Sequence, residues 1–432
     1  MAGLPTTPEA VSKRIASIND ALTRVSTAAE EYADMSTKGA AAAAQDTTTA
    51  AAAAASSAQA QLVSLVKNLL AEVQGPIGAI LDLFSSLPKI AALRCLAELG
   101  VFAAAAGTSG EPATVDEILG RLGDDVDVEK ALLVRLLRTA AAAAGVVEVG
   151  EGTYALTASS AARVLAHPDM AAMFKHLVDE SGPALVLMPR FFVENGWRQP
   201  ADPRNCPYTF AHRTEGTEMW EHVAKFPERQ KNSNRAMKAQ SFDGVWSVGL
   251  FPFAEKIKEL GYKTDASTPL VVDVGGGAGH TSAKIRELCK EIEGTIVLQD
   301  LSGVVEDVSP AEGIVTMAHD FFEEQPVKGA PIYFLRRILH DWADPSSVAI
   351  LKRIADAMDR KLPSRLVIAE QILPTRGVSS ESVLVDMLMM TFTGMERTEK
   401  QWEELLGQAG LKVVGFHRAP GTPFGAVEAV LA

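Results

Sequence analysis

A chain of 432 residues with 47% hydrophobic and 22% charged residues carries enough apolar side chain to bury two or three cores. Its formal net charge of -13 opposes binding to a polyanion, which depends on clustered Lys and Arg. Three cysteines far apart in sequence, Cys95, Cys206 and Cys289, suggest neither a disulfide framework nor a thiolate metal site and point to a reducing compartment.

The first residues, MAGLPTTPEAVSKRI, lack an apolar signal region. No stretch is expected to supply the roughly 18 uninterrupted apolar residues of a membrane span, so a cytoplasmic protein is expected. The apolar residues Val11, Ile15, Ile18, Leu22, Val25, Ala29 and Tyr32 alternate in steps of four and three, a heptad seam on one helix face. Such a helix packs on its own domain or on a second subunit, and the spacing leaves both open. Residues 36–60 are rich in Ala, Thr and Ser and short of large side chains, and read as a mobile or weakly helical linker.

Helices follow from Leu62, in LVSLVKNLLAEV and LPKIAALRCLAELGVF. TVDEILGRLG opens on Thr114 as N-cap with Glu117 at the third position after it, and VEKALLVRLLRTAAAAAG is ended by Gly145. VVEVGEGTYALT alternates around a Gly turn and predicts a hairpin, so the region reads as a winged helix. From Thr114 to Thr157 eight acidic residues face four basic ones, which suits an oligomerisation module and not a DNA-reading head.

Residues 159–265 read as mainly helical, with Trp197, Trp220 and Trp246 as walls of a pocket or as core. After Pro269 short β-branched runs (LVVDVG, TIVLQDL, GIVTMAHDFF, PIYFLRRIL, RLVIAEQIL) alternate with helical stretches, which predicts a parallel sheet covered by helices. The organisation expected is an N-terminal helix and Ala-rich linker (1–60), a winged-helix-like dimerisation domain (61–158), a helical connector carrying the substrate pocket (159–265) and an α/β domain (266–432).

The turn VVDVGGGAGH decides among ligands. A P-loop needs Gly-Lys-Ser/Thr, and the residues after Gly279 are His280, Thr281 and Ser282. A dinucleotide fingerprint begun at Gly275 needs glycine where His280 stands. The pattern present, Asp273 through Gly275, Gly276, Gly277 and Gly279, resembles the first motif of S-adenosylmethionine-dependent methyltransferases. Asp300, followed by Leu301, ends the second strand 25 residues after Gly275, where a carboxylate can accept both hydroxyls of a ribose. Asp320 and Phe321 follow the third strand, placed for the amino group and face of an adenine.

FLRRILHDWAD, IAEQILP and GMERTEKQWEELLGQAGL as a set resemble the plant and fungal small-molecule O-methyltransferases of the caffeate and flavonoid type, over roughly Leu87 to Ala432. The resemblance implies a Rossmann-like domain with a mostly parallel seven-stranded sheet, S-adenosylmethionine as cofactor, and an intertwined homodimer whose partner helps close the acceptor pocket. It implies His340 as general base, its ring held by Glu370 and Glu396. It also implies Ser241 near the cofactor carboxylate, and Arg336 where plant enzymes usually have Lys. Met237, Phe210, Arg337 and Asp341 fall in or beside the acceptor pocket, and Ser233 stands where the plant pattern usually has an aromatic.

The chemistry agrees with that assignment. A phenol has a pKa of about 10, so a neutral imidazole within hydrogen-bond reach can take its proton as the oxygen attacks. A carboxylate on the far ring nitrogen fixes the tautomer. The expected reaction is methyl transfer to a phenolic or enolic hydroxyl of a small secondary metabolite. The alternative is a pericyclase or dehydratase on the same fold, as some fungal relatives are, keeping the bound sulfonium as a fixed charge. No metal, nucleic acid or membrane is expected to take part.

Overall fold

The computed structural model describes residues 7–43, 49–106, 111–123, 126–143, 145–157, 160–306, 308–361, 364–418 and 422–432, without the side chains of 39–43, 49–53, 56 and 238–247. The chain forms two compact units, Met1–Lys175 with Pro420–Thr422, and His176–Ala419 with Pro423–Ala432. The stretch 159–265 is therefore divided between the two units at Lys175 and His176.

In the first unit the helix Pro8–Ala43 lies along the helical segment Thr49–Glu98. Small side chains allow close approach, and Ala21 and Ala28, one heptad apart, are buried. Arg14 donates to the carbonyls of Glu72 and Val73 at 3.3 and 3.1 Å, where Gly75, at φ 68°, breaks the second helix ahead of Pro76. The heptad seam is split: Ile18, Val25 and Tyr32 are half-buried, whereas Val11, Ile15 and Leu22 are exposed. Of the two readings of the Ala-rich stretch, mobile or weakly helical, its described parts, 36–43 and 49–60, take the helical one. Alanine loses little entropy on entering a helix and needs no burial to do so.

By length and composition Ser57–Glu98 is long and apolar enough to cross a membrane, but Lys67, Glu72, Asp82 and Lys89 and the break at Gly75 and Pro76 interrupt it. Its apolar residues Val63, Val66, Leu70, Val73, Ile77, Ile80, Phe84 and Leu87 are all exposed and recur in steps of three and four. The break at Gly75 divides them into two short apolar stripes, Val63 to Val73 and Ile77 to Leu87, both exposed among the described residues.

The rest of the unit is the expected winged helix. Thr114 forms its capping box with Glu117, taking the Glu117 N–H at 3.2 Å while the Glu117 carboxylate accepts the Thr114 N–H at 2.7 Å. Strands β1 (Ala113–Thr114), β2 (Val146–Gly150) and β3 (Thr153–Leu156) pair in the order β1-β3-β2. Phe102, Ile118, Leu133, Leu137 and Tyr154 make the core.

The second unit begins with helices, among them a π-helical turn at Leu177–Ser181, then Gly182–Asn195, Pro207–His212 and Pro227–Gly244. The sheet follows, with β4 (Pro269–Val274), β5 (Thr295–Asp300), β6 (Ile314–Ala318), β7 (Ile332–Arg336), β8 (Arg365–Leu373), β9 (Arg397–Thr398), β10 (Leu411–Arg418) and β11 (Phe424–Leu431). Its order is β10-β11-β8-β7-β4-β5-β6, with the short β9 beside β8 as an eighth strand. The strands from β6 to β8 are parallel, and β11 and β10 close the edge antiparallel. Apolar runs such as LVVDV suit central strands buried on both faces. Val272, Val274, Tyr333 and Leu335 pack on Ile350, Ile354, Trp402 and Leu405, and Leu270, Val271, Ile296 and Leu298 pack on Phe251, Phe253 and Ile285.

From β4 the chain winds outward through β5 to β6, then returns to place β7 on the other flank of β4. The topological switch point lies between β4 and β7, and ligands of such sheets bind at the carboxyl ends there.

Candidate active site

The strands β4, β5, β6 and β7 are parallel, so the residues that follow their carboxyl ends lie along one edge of the sheet, beside this switch point. Gly275 and Gly276 donate to the Gln299 carbonyl at 2.8 and 3.0 Å, which folds the glycine loop back over β5. Gly275, Gly277 and Gly279 have φ of 73°, 56° and 82°, a region costly for any residue with a Cβ. A Cβ on Gly275 would meet Ile338 Cδ1 at 2.5 Å, and one on Gly279 would meet Leu298 Cδ1 at 2.8 Å. At Gly277 a Cβ would meet nothing within 4 Å, so this glycine serves the open side of the loop.

Asp273 is buried and accepts the Ser282 hydroxyl at 2.6 Å, and burial pushes its carboxyl up to about 6. It braces the loop from behind. Asp300 takes the Gly277 N–H on one oxygen and the Leu301 N–H on the other, each at 2.8 Å. Each carboxylate oxygen keeps acceptor capacity, which fits a vicinal diol. Asp320 accepts the Phe322 N–H at 2.9 Å. Phe321 stands 3.9 Å from the position of a Cβ on Gly275 and packs edge-on against Phe322 and Trp342. Arg336 ends β7 with its buried Nε unpartnered; burial, then repulsion by Arg337, lowers its guanidinium to about 10, with Asp273 opposing. The donors and acceptors suit a nucleoside with an amino-acid tail: open backbone at Gly277, a carboxylate for a diol, a ring face and an unspent cationic donor.

Beyond β7, Arg337 takes φ 55°, strained for a side chain of its size, and turns the chain into the Leu339–Asp341 helical turn. His340 is buried, its Nδ1 2.8 Å from Glu396 Oε1 and its Nε2 3.5 Å from Asp341 Oδ1. Burial alone would lower the imidazole's pKa, but Asp341, Glu396 and the Nδ1 hydrogen bond outweigh it and push it up to about 9. Burial raises the Asp341 and Glu370 carboxyls, with His340 opposing in both.

Glu370 differs from the expectation that both acids hold the ring. Its Oε1 accepts the backbone N–H groups of Ile338 and Leu339 at 3.1 and 2.7 Å. On the other side Met395 N–H donates to the His340 carbonyl at 2.8 Å, and Gly394 allows that approach, since a Cβ there would collide with the same carbonyl oxygen.

The residues expected at an acceptor pocket are less closely tied. Asp341 and Arg337 flank His340. Ser233, buried, and Met237, exposed, lie one turn apart on the helix Pro227–Gly244. Phe210 packs against Phe191 and under Arg190, and its ring contacts among the described residues do not reach His340. The side chains of Ser241 and Trp246 lie outside the described residues.

Reading the sequence missed Asp386, which accepts the Glu396 N–H at 2.8 Å, and Arg397, which binds the backbone around His340. Trp220, named from the sequence as pocket wall or core, packs with Met389 on a cluster holding Phe392, whose ring it meets edge-on; Met389 and Phe392 were missed. Arg397 lies inside GMERTEKQW, next to Glu396, and that motif is the one signal that could have drawn attention to it.

Residues 201–412 match the O-methyltransferase domain, and residues 81–165 match the O-methyltransferase dimerisation domain. O-methyltransferase opaF of Aspergillus ustus is 38% identical over 364 residues, covering 84% of this chain and 85% of that protein. The chain belongs to the O-methyltransferase family.

Within the family, demethylsterigmatocystin 6-O-methyltransferase of Aspergillus flavus is 32% identical over 336 residues, covering 78% of this enzyme and 83% of that one. The crystal structure of OxaC in complex with SAH and oxaline superposes with a TM-score of 0.84 at 31% identity, covering 97% of this chain and 100% of that one. A pericyclic reaction enzyme superposes with a TM-score of 0.75 at 26% identity, covering 87% and 94%. S-adenosylmethionine is the cofactor of this O-methyltransferase, and family neighbours have been crystallised with it or with SAH. The sequence expectations of family, fold class and cofactor hold.

Proposed function

We propose that this O-methyltransferase acts on a phenolic or enolic hydroxyl of a small secondary metabolite, with His340 as general base. The observation that carries the reading is the 2.8 Å contact of His340 Nδ1 with Glu396 Oε1. With Nδ1–H donated to Glu396, Nε2 is the nitrogen that receives the acceptor's proton. Bound at the glycine loop, S-adenosylmethionine supplies an electrophilic methyl group and a positive charge.

In the resting protein the imidazole is protonated at neutral pH, so it must lose a proton before it can act. A positive charge brought near His340 favours the neutral ring. Asp300 would hold the ribose, Asp320 and Phe321 the adenine, and Gly277 and Arg336 the amino-acid tail. Met389, Phe392 and Trp220 would wall the acceptor, and Asp341, beside Nε2, would take a second donor of it. A relative named demethylsterigmatocystin 6-O-methyltransferase supports a hydroxyl of a small metabolite as the acceptor.

The raised His340 pKa also favours a second reading, in which an imidazolium donates a hydrogen bond to a carbonyl in a rearrangement, as the likeness to a pericyclic reaction enzyme suggests. Mass spectrometry of candidate acceptors incubated with enzyme and cofactor separates the two. A methylated product with one SAH per turnover supports transfer; an isomerised product with cofactor unconsumed supports the second reading and refutes the first.

We also infer a cytoplasmic homodimer. The dimerisation-domain match and the exposed apolar stripes from Val63 to Leu87 support the dimer. The free thiols of Cys95, Cys206 and Cys289 suit a reducing compartment.

A further inference from the structure

The base sits on a short turn, and the groups that hold its backbone are as specific as those that hold its ring. Arg397, in β9, is fully buried. Its two terminal nitrogens donate to the carbonyls of Leu339 and Trp342, both at 2.9 Å, and these carbonyls bracket His340 in sequence. Nε and one terminal nitrogen reach Asp344 Oδ1 at 3.1 and 2.9 Å, and Ser347 Oγ lies at 3.3 Å. The guanidinium lies 5.3 Å from the centre of the Trp402 ring.

Burying a guanidinium is costly, and an apolar side chain would often fill the same space with equal or greater stability. We propose that Arg397 is a positioning residue for the base: it clamps the carbonyl side of the turn that carries His340, so that Nε2 keeps one orientation toward the acceptor. Glu370 clamps the N–H side through Ile338 and Leu339. The ring carboxylate, Glu396, is the neighbour of Arg397, so a single Glu-Arg pair fixes both the ring and its backbone. A planar fork spans two carbonyls and a carboxylate at once, which a lysine ammonium cannot do.

The inference rests on His340 acting as the base, and its test separates the two ideas. The full-length enzyme is labelled with 15N-histidine, and the Nδ1–H resonance of His340 is assigned by its loss in His340→Ala. In Arg397→Lys, SAH affinity and acceptor KM stay within about twofold while kcat falls about tenfold or more, the pattern of a lost transition-state geometry. The Nδ1–H resonance shifts or broadens by exchange. Unchanged kcat with an unchanged resonance overturns the proposal.

Should Arg397→Lys fail to fold, Asp344→Asn loosens the same guanidinium from a half-exposed partner. The same resonance change is expected with a kcat loss of about threefold, and no change in either overturns the clamp. A wild-type enzyme that transfers no methyl group refutes the base assignment, whereas the resonance still tests the clamp.

Discussion

Glu370 Oε1 accepts the Leu339 N–H at 2.7 Å, so one of the two acids assigned to the ring holds the backbone before it instead. The two acids then have separable roles. Glu370→Gln keeps an acceptor for both N–H groups and loses only a distant charge, so kcat should fall by about tenfold or less. Glu396→Gln removes the charge that stabilises the imidazolium and should cost about a hundredfold. Steady-state kinetics decide it, and equal losses would contradict the division of labour.

The pH profile follows from the environment of His340. Below its pKa the ring already carries the proton that it must accept, so activity rises with pH. The acid limb of kcat/KM, which reports the free enzyme, should have an apparent pKa near 9. The limb of kcat should lie lower, because bound cofactor brings a positive charge toward the ring. Initial rates across the range with saturating and limiting cofactor test both statements. A kcat/KM that shows no acid limb anywhere in the range rules the base assignment out.

Much of this site was legible because strand ends and turns write chemistry into short motifs. Asp273, the glycines, Asp300 and Asp320 follow successive parallel strands, and parallel topology alone brings such positions together. His340 and Glu396 were legible through resemblance, although they are far apart in sequence. Glu370 was named but its partner was not, because a carboxylate in IAEQ gives no sign whether it will meet a ring or two backbone amides. Arg397 was hidden for a similar reason, since a buried Arg and a solvated one look alike in sequence. In the first unit, alanine-rich composition left mobile and weakly helical readings open where low entropy cost produced helix, and the exposed apolar residues from Val63 to Leu87 were overlooked.

The glycine loop allows a contrast between fold and ligand. Gly275→Ala meets Ile338 Cδ1 at 2.5 Å in addition to an unfavourable φ, so it should destabilise the fold by about 2 kcal/mol or more. Gly277→Ala meets nothing and should cost only about 1 kcal/mol of backbone strain. Its methyl group instead projects to the open side of the loop, so cofactor affinity should fall more than stability. Chemical denaturation and calorimetric titration with SAH measure the two effects, and a Gly277→Ala that binds as tightly as wild type would place the cofactor elsewhere.

Asp300 couples loop and ligand. Its two oxygens hold the N–H groups of Gly277 and Leu301 at 2.8 Å while facing the switch point. Hydrogen bonds to a charged acceptor contribute about 1.5–3 kcal/mol each, so Asp300→Ala should weaken SAH binding about a hundredfold. Asp300→Asn keeps one acceptor and should lose about tenfold. Binding unaffected by either change would sink the ribose assignment.

The two stripes, Val63 to Val73 and Ile77 to Leu87, need a cover, because runs of exposed apolar residues cost solubility. A lipid bilayer is a poor candidate. The segment carries Lys67, Glu72, Asp82 and Lys89, and Gly75 breaks it at φ 68°. A second copy presents the same apolar faces on both sides of the Gly75 break, and two such faces can cover each other. Ile80→Glu with Phe84→Glu should convert a dimer to a monomer in light scattering, with the second unit still binding SAH, since both side chains are exposed within one chain. Because the partner is expected to help close the acceptor pocket, acceptor KM should rise in this variant while SAH affinity holds. A wild-type protein that is monomeric at micromolar concentration, or that floats with liposomes, would instead assign the stripes to another surface.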